Sequence, residues 1–318
     1  MSSTKIIGSS EQDRLTELSE NGDAPETHPR KHPLRWVTAA LCLLVLAGII
    51  VAMAQARIVW PNVLLYTFSV PFLQAVGNTV LLAVVSQVVA IAIGVVVAIM
   101  RVSNNPVANQ IASIYIWIFR GVPVLVQILM WYNLALVSDK LTLGIPGTDI
   151  VFYSASTNAV MTPFVAALLG LALNEAAYMA EIIRGGIKSV DSGQIEAATA
   201  LAMPPGRTMR RITLPQAMRV IIPPTGNDFI NMLKSTSLAS VITFPELLRA
   251  AQDISSRNLE IMETLFACAI WYMIVVTISS IGQHFLEKTF DAGLAKSGKP
   301  ARKAIFKTIG RLPMRRVS

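Results

Sequence analysis

QAVGNTVLLAVVSQVVAIAIGVVVAIM, which runs from Gln74 to Met100, has 27 residues and no charged side chain. About 20 consecutive apolar residues in an α-helix suffice to cross the hydrocarbon core of a bilayer. A helix also satisfies its backbone hydrogen bonds within one segment, as lipid requires. The stretch therefore predicts a transmembrane helix, and the fold class depends on whether the rest of the chain repeats this pattern.

The composition of the whole chain agrees with that prediction. Its 318 residues are 53% hydrophobic and 14% charged, and the mean hydropathy is +0.55, whereas an ordinary soluble domain is about 25% charged. We therefore expect an all-α polytopic membrane protein. Six apolar segments are long enough to span, near Trp36–Gln55, Gln74–Met100, Ile111–Val137, Thr162–Ile183, Asn227–Leu248 and Ile261–Phe285.

The basic residues predict the orientation of these spans. The net charge is +8, and the segment from Glu287 to Ser318 holds nine Lys and Arg residues against two acids. Basic residues also precede the first span and fill the loop between the fourth and fifth spans: Arg30, Lys31 and Arg35, then Arg184, Lys188, Arg207, Arg210, Arg211 and Arg219. The positive-inside rule then places both termini in the cytoplasm. The tail 291–318 could also bind nucleic acid, but a topological anchor is the favoured interpretation.

The N-terminal region has two interpretations. Residues 1–35 are polar and rich in Ser, Glu and Pro, which predicts a disordered cytoplasmic extension. Residues 36–56 then form an additional transmembrane helix, or the apolar region of a signal peptide cleaved after Ala52-Met53-Ala54. The long polar lead favours a retained span.

The sequence contains no catalytic or metal-binding constellation. Cys42 and Cys268 lie in apolar runs, and the three histidines share no ligand spacing with them: His28, His32 and His284. The stretch from Gly293 to Pro300 nearly matches a phosphate-binding loop, but Pro300 replaces the hydroxyl residue that holds magnesium. We expect no cofactor or metal on this chain, so any ATP and magnesium would be bound by another subunit.

A basic stretch interrupts the apolar segments, GQIEAATALAMPPGRTMRRITLPQA from Gly193 to Ala217. Asp191 or Ser192 can cap a helix there, with Gln194 in the capping-box position. Small residues then follow Ile195 at helical spacing, namely Ala198 and Ala202.

Two prolines divide this stretch. We expect Pro204 and Pro205 to end the first helix, and a second helix to run from about Pro205 to Ile212 and stop at Pro215. The result is a bent pair of short helices. Spacing alone leaves open whether the pair docks on a partner or is a solvated loop.

Several motifs resemble those of ABC-importer permeases. The pattern E-A-A, a small residue and I-x-L-P is formed by Glu196, Ala197, Ala198, Ala202, Ile212, Leu214 and Pro215. Arg120-Gly121-Val122-Pro123 with Gln127 is similar to the RG-x-P…Q signature of the polar amino acid branch. Matches in the same order continue through Leu173–Tyr178, Ala180-Glu181, Arg184–Ile187, Pro215–Ala217, Pro223-Pro224, Gly226-Asn227 and Lys234–Leu238, which includes Thr236 and Ser237. The resemblance covers residues 74–290.

The resemblance implies a type I importer permease with a five-span core plus one extra N-terminal span. Such a subunit pairs with a second permease, identical or related, around a translocation pathway in the bacterial inner membrane. Its cytoplasmic loop, here 184–222, docks on an ATP-binding subunit, and Glu196 is the principal docking candidate. An extracytoplasmic binding protein delivers polar amino acids or derivatives such as opines. The chain departs from the family at Ala202, where glycine is usual; the alternative is a bend made by Pro204, Pro205 and Gly206.

Polar residues in the fourth span are candidates for the pathway, because charge facing lipid is costly. They are Asn174, Glu175, Tyr178 and Glu181. Asn174 and Tyr178 share one helix face. Glu175 can attract a cationic group or pair with Arg120 or Arg184, and Lys234 is equally ambiguous. A channel without ATP coupling is the second hypothesis, and a membrane-bound enzyme is the third.

Overall fold

The computed structural model describes residues 33–55, 58–145 and 150–297. The predictions for the polar extension up to residue 32 and for the basic tail from residue 298 lie outside this part of the chain. The chain divides into two units, 1–57 and 58–318. The described part of the first unit is helix α1, Pro33–Gln55, whose large apolar side chains are exposed between Val37 and Ile49.

The second unit is built mainly of helices. In chain order they are α2 Trp60–Thr67, α3 Val70–Val102, α4 Pro106–Gly121, α5 Val124–Tyr132, α6 Thr157–Val160, α7 Pro163–Lys188, α8 Ser192–Ala200, α9 Pro205–Thr208, α10 Leu214–Ser235, α11 Leu247–Asn258 and α12 Ile261–Ser297. A 3₁₀ turn, Leu134–Leu136, follows α5, and an antiparallel hairpin of β1 Lys140–Gly144 and β2 Val151–Ser156 precedes α6.

Three helices of the described residues are long and apolar enough to cross a membrane: α3, α7 and the Ile261–Thr289 part of α12. Helices α4 and α5 meet the same test together, although they are bent by 98°. The segment predicted to span near Ile111–Val137 is therefore divided into two helices at Pro123. Pro123 keeps Val122 extended, with φ −98° and ψ 130°, because its ring disfavours a helical residue before it.

The prediction that a helix stops at Pro215 is also wrong. A π-helical turn, Met209–Thr213, joins α9 to α10, and the Leu214 N–H donates to Met209 O across it. Pro215 then lies in the first turn of α10. Backbone N–H groups in a first turn have no partner within the helix, so proline is tolerated there.

The predicted span Asn227–Leu248 is not a single helix. Helix α10 ends at Ser235 and continues as a 3₁₀ segment, Thr236–Ile242. Thr243 has a left-handed φ of 62°, which turns the chain before α11 begins at Leu247. Helix α10 is also less apolar than the membrane-spanning helices α3, α7 and α12, because it carries Arg219, Asp228 and Lys234.

Small residues let the central helices approach closely. A Cβ atom added to Gly94 of α3 would lie 2.7 Å from Met179 Cβ of α7. A Cβ atom on Gly170 would lie 2.5 Å from Ile128 Cγ1 of α5. Close backbone approach of this kind is how helices associate in membranes. The packing fixes α7 at the centre of the unit, between α3 and α5.

Candidate translocation pathway and coupling segment

Helix α8 begins at a side-chain cap. The Asp191 carboxylate accepts a hydrogen bond of 2.8 Å from Gly193 N–H. Of the two predicted capping residues, Asp191 and Ser192, Asp191 is therefore the N-cap. Gln194 donates its backbone N–H to Asp191 O at 3.1 Å. The described contacts of the Gln194 side chain include no capping-box bond to the backbone. The first turn of α8 is therefore held by Asp191.

Ala202 makes the bend that follows α8. Its φ is 52°, in the left-handed region. The Ala202 N–H donates to Thr199 O at 2.9 Å, and the Met203 N–H donates to Ala198 O at 3.0 Å. These two bonds define a Schellman motif, which usually has glycine at the left-handed position. The bend therefore contains a left-handed alanine, and the alternative of a bend made only by Pro204–Gly206 is wrong.

The cytoplasmic loop 184–222, which we call the coupling segment, exposes most of the residues that are predicted to contact the ATPase. Glu196, Ala197, Leu214 and Pro215 are exposed, Ile212 is half-buried, and Ala198 is buried. The Glu196 carboxylate has no hydrogen bond or ion pair within the described residues. Leu201 is 78% exposed and extends the apolar part of this surface. An acid beside exposed apolar side chains is thus available to another protein.

The RG-x-P…Q residues hold the break between α4 and α5. The buried Gln127 amide donates to Phe119 O at 3.0 Å and to Val122 O at 2.8 Å. Asn174 of α7 donates to the same Phe119 O at 2.6 Å. The break leaves these carbonyls without helical partners, so both amides replace missing backbone bonds.

The cations near the predicted pathway already have partners. Arg120 lies over the Tyr178 ring, with its Cζ 4.8 Å from the ring centroid. Arg184 forms an ion pair with Glu181 on the same helix at 2.6 Å. Neither arginine pairs with Glu175, so that predicted alternative is wrong.

Glu175 instead lies against a second acid, Asp228 of α10. Glu175 Oε1 and Asp228 Oδ2 are both buried without a hydrogen-bond partner in the described structure. Two acids placed together away from bulk water repel each other unless a proton or a cation lies between them. The two side chains are hydrogen-bonded to each other, which requires a shared proton, and a positively charged group can take the place of that proton.

Lys234 lies at the far end of α10 from the coupling segment. It is exposed and lines an open cavity of about 490 Å³ together with Asn231, Ser235, Ser237 and Leu238. Thr236 has a different role, because it is fully buried and its hydroxyl donates to Leu233 O at 2.7 Å.

Comparison with known proteins decides the family. The sequence profile described as "Binding-protein-dependent transport system inner membrane component" matches residues 90–291. The chain belongs to this family. The permease is therefore a multi-pass inner-membrane transport subunit and not an enzyme, and it functions with separate ATPase and substrate-binding proteins.

Named relatives of the permease include amino acid and opine transport subunits. It is 40% identical over 274 residues to the arginine transport system permease protein ArgU of Corynebacterium glutamicum, covering 86% of this chain and 85% of that one. It is 38% identical over 209 residues to the nopaline transport system permease protein NocM of Agrobacterium fabrum, covering 65% and 83% respectively.

Solved structures agree with these relatives. The structure titled "Crystal structure of an amino acid ABC transporter with histidines" has a TM-score of 0.63 and 32% identity to the permease, and covers 74% of this chain and all of that one. The prediction of an ABC-importer permease of the polar amino acid type is confirmed.

Two polar residues of the permease were missing from the predicted site. Asp228 is an acid within a predicted span, so the rule that made Glu175 a pathway candidate, that charge facing lipid is costly, also applies to Asp228. Glu246 is fully buried; it caps α11 by accepting from Leu248 N and Arg249 N, and it also accepts from the Tyr272 hydroxyl at 2.9 Å. The sequence did not reveal this role, because the predicted span Asn227–Leu248 runs past Glu246 and so hides the start of α11 at Leu247.

Proposed function

We propose that this permease imports cationic amino acids, or derivatives such as opines that keep a cationic group, in an ATP-driven ABC importer. The observation that carries the proposal is the Glu175–Asp228 pair, in which two buried carboxylate oxygens lack a partner among the described residues. The names of the arginine and nopaline permeases support the same substrate class.

The chemistry of the pair fits a guanidinium or ammonium group. Burial of a carboxylate is unfavourable until a proton, hydrogen bonds or an opposite charge compensate it. A guanidinium offers five N–H donors in a planar fork that matches carboxylate oxygens. An acidic substrate would add a third negative charge at this position, so the pair discriminates against it.

The pair joins two helices, one of which continues into the coupling segment. Glu175 belongs to α7 and Asp228 to α10, and α10 is joined through the π turn to the coupling segment. Displacement of α8 by the ATPase would therefore change the separation of the two carboxylates. A site of this kind binds its substrate differently in two states, which is the requirement for coupled transport.

The partners follow from the same arrangement. ATP and magnesium are bound by a separate ATP-binding subunit and no cofactor by this chain, and the ATPase receives α8 with Glu196. A second permease subunit, a copy or a sister, completes the pathway, and an extracytoplasmic protein delivers the substrate. The positive-inside rule, applied to the basic loop 184–222, supports a cytoplasmic position for the coupling segment and for both termini.

Competition during uptake tests the substrate class. The permease is reconstituted in proteoliposomes with its ATPase and binding protein, and accumulation of labelled L-arginine is measured with unlabelled competitors. We expect competition by arginine and other cationic amino acids, and none by glutamate. Absence of ATP-dependent arginine accumulation, or competition by glutamate or glutamine as strong as that by arginine, would contradict the proposal.

A further inference from the structure

A two-stranded hairpin projects from the helices of the permease. Strands β1 and β2 pair with each other, and their described backbone bonds include none to a third strand. Most residues of both strands are exposed, including all of β2 except the half-buried Ala155. The hairpin therefore stands away from the helices instead of packing on them.

The root of this hairpin is held by Thr157, which is fully buried. The Thr157 N–H donates to Asp139 O at 2.9 Å, and its hydroxyl donates to Ser138 O. Both acceptors lie directly before β1, and Thr157 lies directly after β2. These bonds fix the direction in which the hairpin leaves the helices.

The two faces of the hairpin differ in polarity. Residues opposite each other, and residues two apart on one strand, lie on the same face of a sheet. Leu141 pairs with Ala155, so these two share a face with Tyr153. The residues of the other face are all polar: Lys140, Thr142, Ser154 and Ser156.

The tip of the hairpin is apolar and exposed. Tyr153 pairs with Leu143 and Val151 with Gly144, so Phe152 is an extra residue that bulges between two pairs. Phe152 is 73% exposed, and Tyr153 and Val151 are more than half exposed. Contiguous apolar side chains in water commonly mark a surface that another molecule covers.

The hairpin and the coupling segment lie on opposite sides of the membrane. Helix α7 begins at Pro163, shortly after the hairpin, and is long and apolar enough to cross the bilayer. Its other end leads into α8 of the coupling segment. With the coupling segment in the cytoplasm, the hairpin is extracytoplasmic.

Lipid does not suit this hairpin. Two strands leave the backbone N–H and C=O groups of their outer edges without strand partners, and such open edges do not occur in the hydrocarbon of a bilayer. A permanent interface with a second permease would be mainly apolar, whereas one face here is lined by hydroxyls and a lysine. Aromatic anchors beside a polar face are typical of a partner that binds and leaves.

We propose that the tip of the hairpin, with Phe152 and Tyr153 as anchors, inserts into an apolar surface of the extracytoplasmic binding protein when that protein delivers its amino acid. The inference rests on the orientation given in the proposed function, but it does not depend on the class of substrate.

Association of two purified components tests the inference. The permease–ATPase complex is placed in lipid nanodiscs, and its affinity for the purified binding protein of the same importer is measured. We expect Phe152→Ala to weaken this association by roughly ten-fold or more, because a single aromatic anchor commonly contributes that much. The ATPase rate without the binding protein should be unchanged, since Phe152 is exposed and lies outside the coupling segment.

Two control variants should bind like the wild type. Thr142→Ala alters the polar face of the same hairpin. Phe285→Ala removes another exposed phenylalanine near the cytoplasmic end of the span in α12. Loss of affinity in Phe152→Ala alone would assign the contact to the apolar tip.

Photochemical cross-linking identifies the neighbour of the tip directly. With Phe152 replaced by the photoreactive p-benzoylphenylalanine, irradiation of the same mixture should join the permease to the binding protein. An adduct only with lipid or only with the second permease subunit would overturn the inference, and so would wild-type affinity of Phe152→Ala. Either result would leave the proposed substrate class unaffected, because competition during uptake tests that class separately.

Discussion

The Met203 N–H donates a hydrogen bond of 3.0 Å to Ala198 O across an alanine that has a positive φ. A left-handed conformation costs an L-residue about 1–2 kcal/mol, because Cβ comes close to the following carbonyl oxygen, and glycine escapes this. The bend of the coupling segment is therefore formed by a residue whose Cβ atom strains it.

Ala202→Gly should stabilise the end of α8 by about 1 kcal/mol, because it removes the Cβ contact at φ 52°. Hydrogen exchange of the α8 amides measures this local stability. Ala197→Gly is the matched control with the opposite sign, since Ala197 is an exposed residue in the interior of α8 and glycine there should destabilise the helix by about 1 kcal/mol. Faster exchange in both variants would contradict the assigned role of Ala202.

Glu196→Lys should abolish ATP-driven uptake, because it reverses the charge of the exposed acid on the surface proposed to contact the ATPase. Membrane insertion should be unchanged, since the described contacts of this side chain include no bond within the permease. Uptake into proteoliposomes and the yield of inserted protein measure the two effects. Glu196→Gln keeps the shape of the side chain and should retain more activity. Normal uptake by the lysine variant would remove Glu196 from the coupling surface.

Gln127→Leu should lower the free energy of unfolding by about 1–3 kcal/mol, because the Val122 carbonyl loses the amide that bonds it, while the Phe119 carbonyl keeps only the bond from Asn174. Thermal unfolding in detergent is the measurement. Asn133→Leu is the control. It removes the hydrogen bond of 2.8 Å that the exposed Asn133 amide donates to Leu129 O, and it should change stability far less. An equal effect of both substitutions would mean that Gln127 does not hold the break between α4 and α5.

Gly170→Ala should destabilise the permease by about 1–3 kcal/mol, because the new Cβ would lie 2.5 Å from Ile128 Cγ1 and 3.0 Å from the Ile128 backbone. Gly77→Ala is the control, since a Cβ there has no atom within 4 Å and alanine favours the helix. Thermal unfolding should therefore shift in opposite directions. A neutral Gly170→Ala would show that α5 and α7 do not approach each other this closely.

Much of the fold could be predicted from the sequence, because the length of an uncharged apolar run indicates directly whether a helix can span the membrane. The stretch from Gln74 to Met100 lies within one continuous helix, α3. The helix breaks were harder to place. Apolar residues continue through Val122 and Pro123, so hydropathy alone could not show the 98° bend between α4 and α5.

The limits at the site have a similar cause. Pro215 normally ends a helix, and only the π turn before it permits α10 to continue. For Glu175 the sequence allowed either attraction of a cationic group or pairing with Arg120 or Arg184, and in the structure Arg184 pairs with Glu181 on its own helix. Which acid meets which cation depends on the packing of α7 against α10, and a single sequence does not encode that distance in any local pattern.

The central claim is that the Glu175–Asp228 pair receives the cationic end of the substrate. ATP-dependent accumulation of labelled L-arginine in proteoliposomes, with the ATPase and binding protein present, tests it most directly when the wild type is compared with Glu175→Gln and Asp228→Asn. Loss of one charge-assisted contact weakens binding by roughly ten-fold or more. Each variant should therefore accumulate arginine more slowly by at least that factor when the arginine concentration is low. Wild-type accumulation by both variants would contradict the account.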